Sequence, residues 1–117
     1  MAIMTRANPS ASLLAPAIAA ILLAGCASTP KGPPPEIVRL QTDLDRLRAD
    51  PRVAPNAAAE LDKAQSAVSL LAGERRKLDE PLFRHGLYIA DRLVQTAEAS
   101  GLARDAEERG KQLGIER

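Results

Sequence analysis

The sequence predicts an all-α protein: a three-helix antiparallel bundle or elongated helical hairpin with a long third helix, preceded by a signal peptide and a Pro-rich tether. Three observations predict it. Apolar residues recur at steps of three and four in three stretches, Pro-bearing breaks fall near 50–56 and 79–81, and the composition is rich in Leu and Ala with only Phe83 and Tyr88 as aromatics. The 117 residues are 45% hydrophobic, but unevenly: 17 of the first 25 are apolar, against 36 of the remaining 92. Fourteen of those 36 are Ala, so twelve Leu and one Phe must carry most of a core, which is marginal for a segment of this length. Past residue 25, 15 basic residues balance 15 acidic ones. The balance and the lack of aromatic platforms argue against nucleic acid as a partner, and one Cys excludes a disulfide scaffold.

Residues 1–25 read as a secretory signal, with Arg6 and no acid in a short n-region and an apolar run over 11–24 broken by Pro16. A helix of about 14 residues spans about 21 Å, short of the ~30 Å hydrocarbon core, so a retained membrane span is disfavoured. Leu23, Ala24, Gly25 and Cys26 then match the lipobox of bacterial lipoproteins. In lipoproteins the thiol accepts a diacylglyceryl group, and the small residues let the signal peptidase close on the bond before it. A lone Cys is otherwise a small buried hydrophobe. Its place at the end of a signal run makes Cys26 the expected lipidation site, with two or three acyl chains holding the mature chain on a bilayer. Ser28, second after Cys26, resembles the outer-membrane sorting signal of enterobacterial lipoproteins, so the expected location is the periplasmic face of the outer membrane. Residues 26–35 form the lipidated Cys and a linker with four Pro and one Gly in 27–35, an extended tether of up to about 28 Å.

The helical domain is expected over 36–117. Ile37, Leu40, Leu44 and Leu47 make one narrow face of a first helix over about 36–49, with Arg39/Asp43 and Asp45/Arg48 pairs beside it. Pro35 suits the first helical position and Asp50-Pro51 supplies the stop. After a turn at 51–56, Asn56 is the expected N-cap of a second helix with Ala57, Leu61, Ala64, Val68, Leu71 and Leu78 on its inner stripe, interrupted only by Arg75. Its end is open between Ala72, just before Gly73, and Leu78. Asp79 or Glu80 before Pro81 starts a third helix running to about Leu113. Its inner lines are expected to be Leu82, Ile89, Leu93 and Ala97, with Leu87, Ala90 and Val94 alongside, then Leu102, Ala106 and Leu113. Asp105/Arg109 and Glu107/Lys111 are acid-first pairs supporting the far end. At ~45 Å this helix outruns either neighbour, so it either frays there or meets a second copy.

Chemical signatures are sparse. No Gly-rich phosphate loop, Cys/His metal spacing, nucleophile elbow or paired-carboxylate signal occurs, so no catalytic residue, metal, cofactor or small-molecule substrate is expected. His85 is the only His. It could serve as a pH-sensitive contact or a ligand, but a lone His without base, nucleophile or second ligand reads first as a packed side chain, with Phe83 and Tyr88 packing beside it. An enzyme would need His85 with an acid such as Asp91 or Glu80. Arg75 and Arg76, with Lys77, make a basic cluster that reads first as a solvated face and, more sharply, as a contact for anionic headgroups or peptidoglycan.

Asp50-Pro51, Ala54-Pro55, the GluLeuAspLysAlaGlnSerAlaVal run at 60–68, HisGlyLeuTyrIleAlaAspArgLeuVal at 85–94 and ArgAspAlaGluGluArg at 104–109 together resemble the domain of unknown function 4398 family, short periplasmic helical domains of Gram-negative lipoproteins. The resemblance covers about 36–117 and is most specific at His85, Tyr88 and Ala90. It departs at 56–59, where four residues separate Ala-Pro from Glu-Leu and one is usual, and at Ile89, where Leu is usual. Many relatives carry an OmpA-like peptidoglycan-binding domain after this one; none is expected here, so wall binding does not carry over. The resemblance implies a helical fold and no settled activity. The expectation is a non-enzymatic lipoprotein presenting a helical interaction module, with His85, Tyr88, Arg75 and Arg76 as candidate contacts. Its partners would be membrane lipid through acylated Cys26, and an envelope protein or a second copy. The alternative is a self-associating envelope spacer near peptidoglycan.

Overall fold

A computed structural model describes residues 32–115, so Cys26 and the Leu23, Ala24 and Gly25 signal residues lie outside the described part. The described residues are all-α, with α1 at Pro35–Ala49, α2 at Ala58–Glu74 and α3 at Glu80–Ile115; a single 3₁₀ turn at Arg75–Lys77 extends α2.

Helix α1 follows from its bracketing residues. Pro34, at φ −53° and ψ 140°, has near-polyproline geometry and its carbonyl accepts the amides of Ile37 and Val38, while Pro35 opens the helix without an orphan N–H. Pro51 forces Asp50 into extended geometry and ends the helix at Ala49. Ile37, Leu40, Leu44 and Leu47 are all fully buried, as their spacing predicts. Burying each contributes up to about 1.5–3 kcal/mol.

The 50–57 connection is a hydrogen-bonded turn. The Asp50 carbonyl accepts the amides of Val53 and Ala54, and the Val53 carbonyl those of Asn56 and Ala57. Asp50 Oδ1 also accepts the Arg52 amide at 2.9 Å and Arg52 Nε at 3.1 Å. These bonds, the side-chain ones foremost, pull the Asp50 carboxyl down to about 2. The expectation that Asn56 caps α2 is corrected: Ala57 occupies the cap with no side-chain bond, and Asn56 Nδ2 instead donates to the Arg52 carbonyl at 2.9 Å. The turn also delivers Val53 fully buried into the core.

The inner stripe of α2, from Ala57 through Leu71, is buried as expected. Gly73 does not stop the helix, which ends at Glu74 between the two expected positions. Asp79 then caps α3, its Oδ1 accepting the Leu82 amide at 3.0 Å.

Opposite charges fix the helix order. Arg39 pairs with Asp91 and Arg46 with Glu98, both at 3.0 Å and both 52 residues apart, so α1 and α3 run parallel. Arg48 reaches Asp62 at 3.2 Å, and Arg104 reaches Glu60 and the Asn56 carbonyl, each at 2.5 Å, placing the start of α2 beside the end of α1. Helix α2 is therefore antiparallel to both, in an up-down-up bundle. Such exposed pairs contribute little stability; what they mark is the direction in which the helices run. Arg39 also meets Asp43 as expected, but Arg48 prefers Asp62 to Asp45, and Lys111 pairs with Glu108 rather than Glu107.

The inner face of α3 matches the expectation at Ala90, Val94 and Ala97 and departs from it at Leu82 and Ile89. Phe83, Ala90, Val94, Ala97 and Gly101 are buried, Leu87, Leu93 and Leu102 are half-buried, and Leu82 and Ile89 are 57% and 43% exposed. Small residues face inward because the helices approach closely. A Cβ on Gly101 would lie 2.8 Å from Val53 Cα, and one on Gly86 would lie 2.6 Å from Leu71 Cδ1. Past Leu102 no residue of the helix is buried: Ala106 and Leu113, expected on the inner line, are exposed, yet the helix continues to Ile115.

Candidate interaction surface

The exposed chemistry of the bundle concentrates where α2 turns into α3. Arg75 is not part of a free basic cluster. Its guanidinium lies 4.0 Å from the centre of the Phe83 ring, bonds Glu80 at 3.2 Å and approaches the Leu78 carbonyl, sealing the end of the core. Glu80 also accepts Arg84 at 3.0 Å. Arg76 and Lys77 are exposed, and among the described residues neither has a carboxylate within 4.0 Å.

Beside this corner α2 and α3 leave an open apolar groove of about 240 Å³, lined by Ala67, Leu70, Leu71, Leu78, Gly86 and Ile89 with Glu74 at its edge. Gly86 gives Leu71 room against α3, since a Cβ there would lie 2.6 Å from Leu71 Cδ1. Of the lining residues, Leu70 is 63% exposed and Ile89 43%.

The reading of His85 and Tyr88 as packed side chains is overturned: both are exposed. They lie on the outward face of α3 with Ile89 and Arg92, at relative positions i, i+3, i+4 and i+7, which one helix face collects. Arg92 stacks over the Tyr88 ring at 5.5 Å, donates to its hydroxyl at 3.3 Å and reaches Gln95 Oε1 at 3.1 Å. The acids nominated to assist His85 are elsewhere. Asp91 is about 120° around the helix and bound to Arg39 and Gln95, while Glu80 is about 140° around and bound to Arg75 and Arg84. The geometry therefore brings together His85, Tyr88, Ile89 and Arg92 as one surface strip and does not assemble His85 with a base or acid.

No family model, curated protein or solved structure matches the chain. Among the described residues no group of His, Cys, Asp and Glu is placed to hold a metal ion, and no helix is long and apolar enough to cross a membrane. What this surface offers is an amphipathic face: apolar rims for burial, an aromatic side chain held by a cation, and two unpaired cations at one end. The groove and the Gly86 notch escaped sequence reasoning, because a helical Gly signals lost propensity rather than a contact.

Proposed function

We propose that this protein is a non-enzymatic outer-membrane lipoprotein of the domain of unknown function 4398 type that presents a helical interaction module to the periplasm, as an envelope adaptor or accessory subunit. The single observation that carries this reading is Leu23-Ala24-Gly25-Cys26 at the end of an apolar export run, where the only thiol of the chain stands. The exposed groove between α2 and α3 and the strip of His85, Tyr88, Ile89 and Arg92 supply the surface by which a partner protein would be recognised. Processing of the precursor should stop in globomycin, and mass spectrometry of the mature N-terminus should find acyl chains on Cys26. Cleavage indifferent to globomycin, or a free Cys26 thiol, removes the reading. Crosslinking in intact envelopes should then recover one defined protein through the groove.

A second reading, a self-associating spacer near peptidoglycan, is favoured by the uncovered end of α3, where Leu113 is 63% exposed and Ile115 also faces solvent. Sedimentation at high concentration separates the two: a strict monomer that does not pellet with peptidoglycan rules out the spacer.

A further inference from the structure

The ends of the bundle differ in where the chain enters. With α1 and α3 parallel at an offset of 52 residues, Pro35 stands level with Leu87. Helix α3 begins seven residues earlier, at Glu80, so the α2–α3 corner projects about 10 Å past the first residue of α1, at the end where the chain comes in. Eight residue steps from Cys26 to Pro34 reach at most about 25 Å even as extended polyproline. A lipid anchor on Cys26 thus keeps this corner within reach of the headgroups, while the other end of α3 stands some 50 Å from the corner along the helix axis.

The corner has the chemistry of an interfacial contact. Arg76 and Lys77 are exposed and, among the described residues, unpaired, and Leu82 lies exposed in the first turn of α3. Over residues 74–84 four basic side chains oppose three acidic ones. Of the acids, Glu80 is held by Arg75 and Arg84, Asp79 is committed to capping α3, and Glu74 is half-buried against the groove, so Arg76 and Lys77 are the exposed charges of the corner without a partner. A leucine at the acyl boundary with Lys and Arg at phosphate level is how an amphipathic surface binds a bilayer plane.

Resting on the lipid-anchored reading, we propose that the α2–α3 corner is a second membrane contact, with Arg76 and Lys77 on the phosphates of anionic glycerophospholipid headgroups and Leu82 dipping beneath them. The bundle then stands on the bilayer corner-first, with α3 pointing away. Each cation is expected to favour the docked state about fivefold at low salt.

The test uses the mature acylated protein in vesicles of phosphatidylcholine with or without phosphatidylglycerol, carrying a fluorophore on Pro81→Cys or on Gln112→Cys. A headgroup-located spin label should quench the fluorophore near the corner several-fold more than the distal one. Phosphatidylglycerol should increase the difference, and Arg76→Glu with Lys77→Glu, both exposed and free of packing, should abolish that increase. Leu82→Ser should reduce quenching in both lipid mixtures. Equal quenching at the two positions, or a difference indifferent to both charge reversal and Leu82→Ser, would overturn the proposal while leaving the anchor intact. Absence of acyl mass on Cys26 would instead overturn the anchored reading and this one with it.

Discussion

The two halves of α3 have similar helical backbones and opposite circumstances. Between Phe83 and Gly101 one face is buried against α1 and α2, mostly through Ala, Val and Gly; from Ala103 to Ile115 every residue except Asp105 is exposed. Tertiary packing holds the first half. The second, about 13 residues with Gly110 and Gly114 inside, is tied to α2 through Arg104, which reaches Glu60 and the Asn56 carbonyl, and beyond that residue carries only local pairs such as Arg109 with Asp105 and Lys111 with Glu108. Isolated helices of that length are marginal in water, so continuity with the packed half is what nucleates the overhang. Length of helix and extent of fold are therefore different quantities in this chain.

The comparison is broken most directly in the core. Leu44→Ala should cost about 2–5 kcal/mol in chemical denaturation, whereas Leu113→Ala should stay within about 0.5 kcal/mol; equal losses would mean that the overhang is packed. Next comes Gly101→Ala. A helix interior ordinarily gains about 1 kcal/mol from that change, but the new methyl would strike the Val53 backbone at 2.8 Å. Overpacking at ~1–3 kcal/mol should outweigh the gain and lower the melting temperature. Gly110→Ala, with nothing within 4 Å of the added methyl, should do the reverse. A gain of about 0.5–1 kcal/mol would slow amide exchange across 105–113 about two- to fivefold without moving global unfolding.

The smallest expected effect is on pH. Asp50 titrates at about 2 in the folded chain and near 3.8 without its Arg52 bonds. Glu60 is lowered too, chiefly by its bond from Arg104. A depressed carboxylate contributes stability that is fully present above its unfolded value and is lost as pH falls through the folded one. The 50–60 segment should therefore weaken between about pH 4 and 2. Carbon-detected titration of Asp50 would show it, and a midpoint near 3.8 would contradict the geometry.

Why some of this was legible is itself physical. The limits of α1 were readable because Pro35 and Asp50-Pro51 act locally, and its four-Leu/Ile stripe faces a core of ordinary spacing. On α3 the line of Ala90, Val94 and Ala97 packs as its spacing predicts, while Leu82 and Ile89 at its edge do not, because hydropathy ranks them above Gly101 whereas close helix approach selects for smallness. His85 and Tyr88 lie outward with Ile89. Val53 and Gly101 were invisible for another reason: their meaning depends on a contact 48 residues apart, which no local pattern carries. The Cys26 motif belongs to a third category, since its chemistry is written in four adjacent residues and needs no fold to be read.

The charge ladder between α1 and α3 has one rung too many. Asp91, Glu98 and Asp105 repeat every seven residues on α3, while α1 offers Arg39 and Arg46 at the same interval. Sliding α3 by one repeat, about 10 Å, would set Arg39 against Glu98 and Arg46 against Asp105, an equally attractive match. Ionic complementarity alone is therefore ambiguous about which rung is first. The same slide would bring Glu108 to the place of Gly101, against the Val53 backbone, and would put Ala90 where Phe83 fills the base of the core. One missing side chain acts as the key that lets a repetitive helix stop at a single notch.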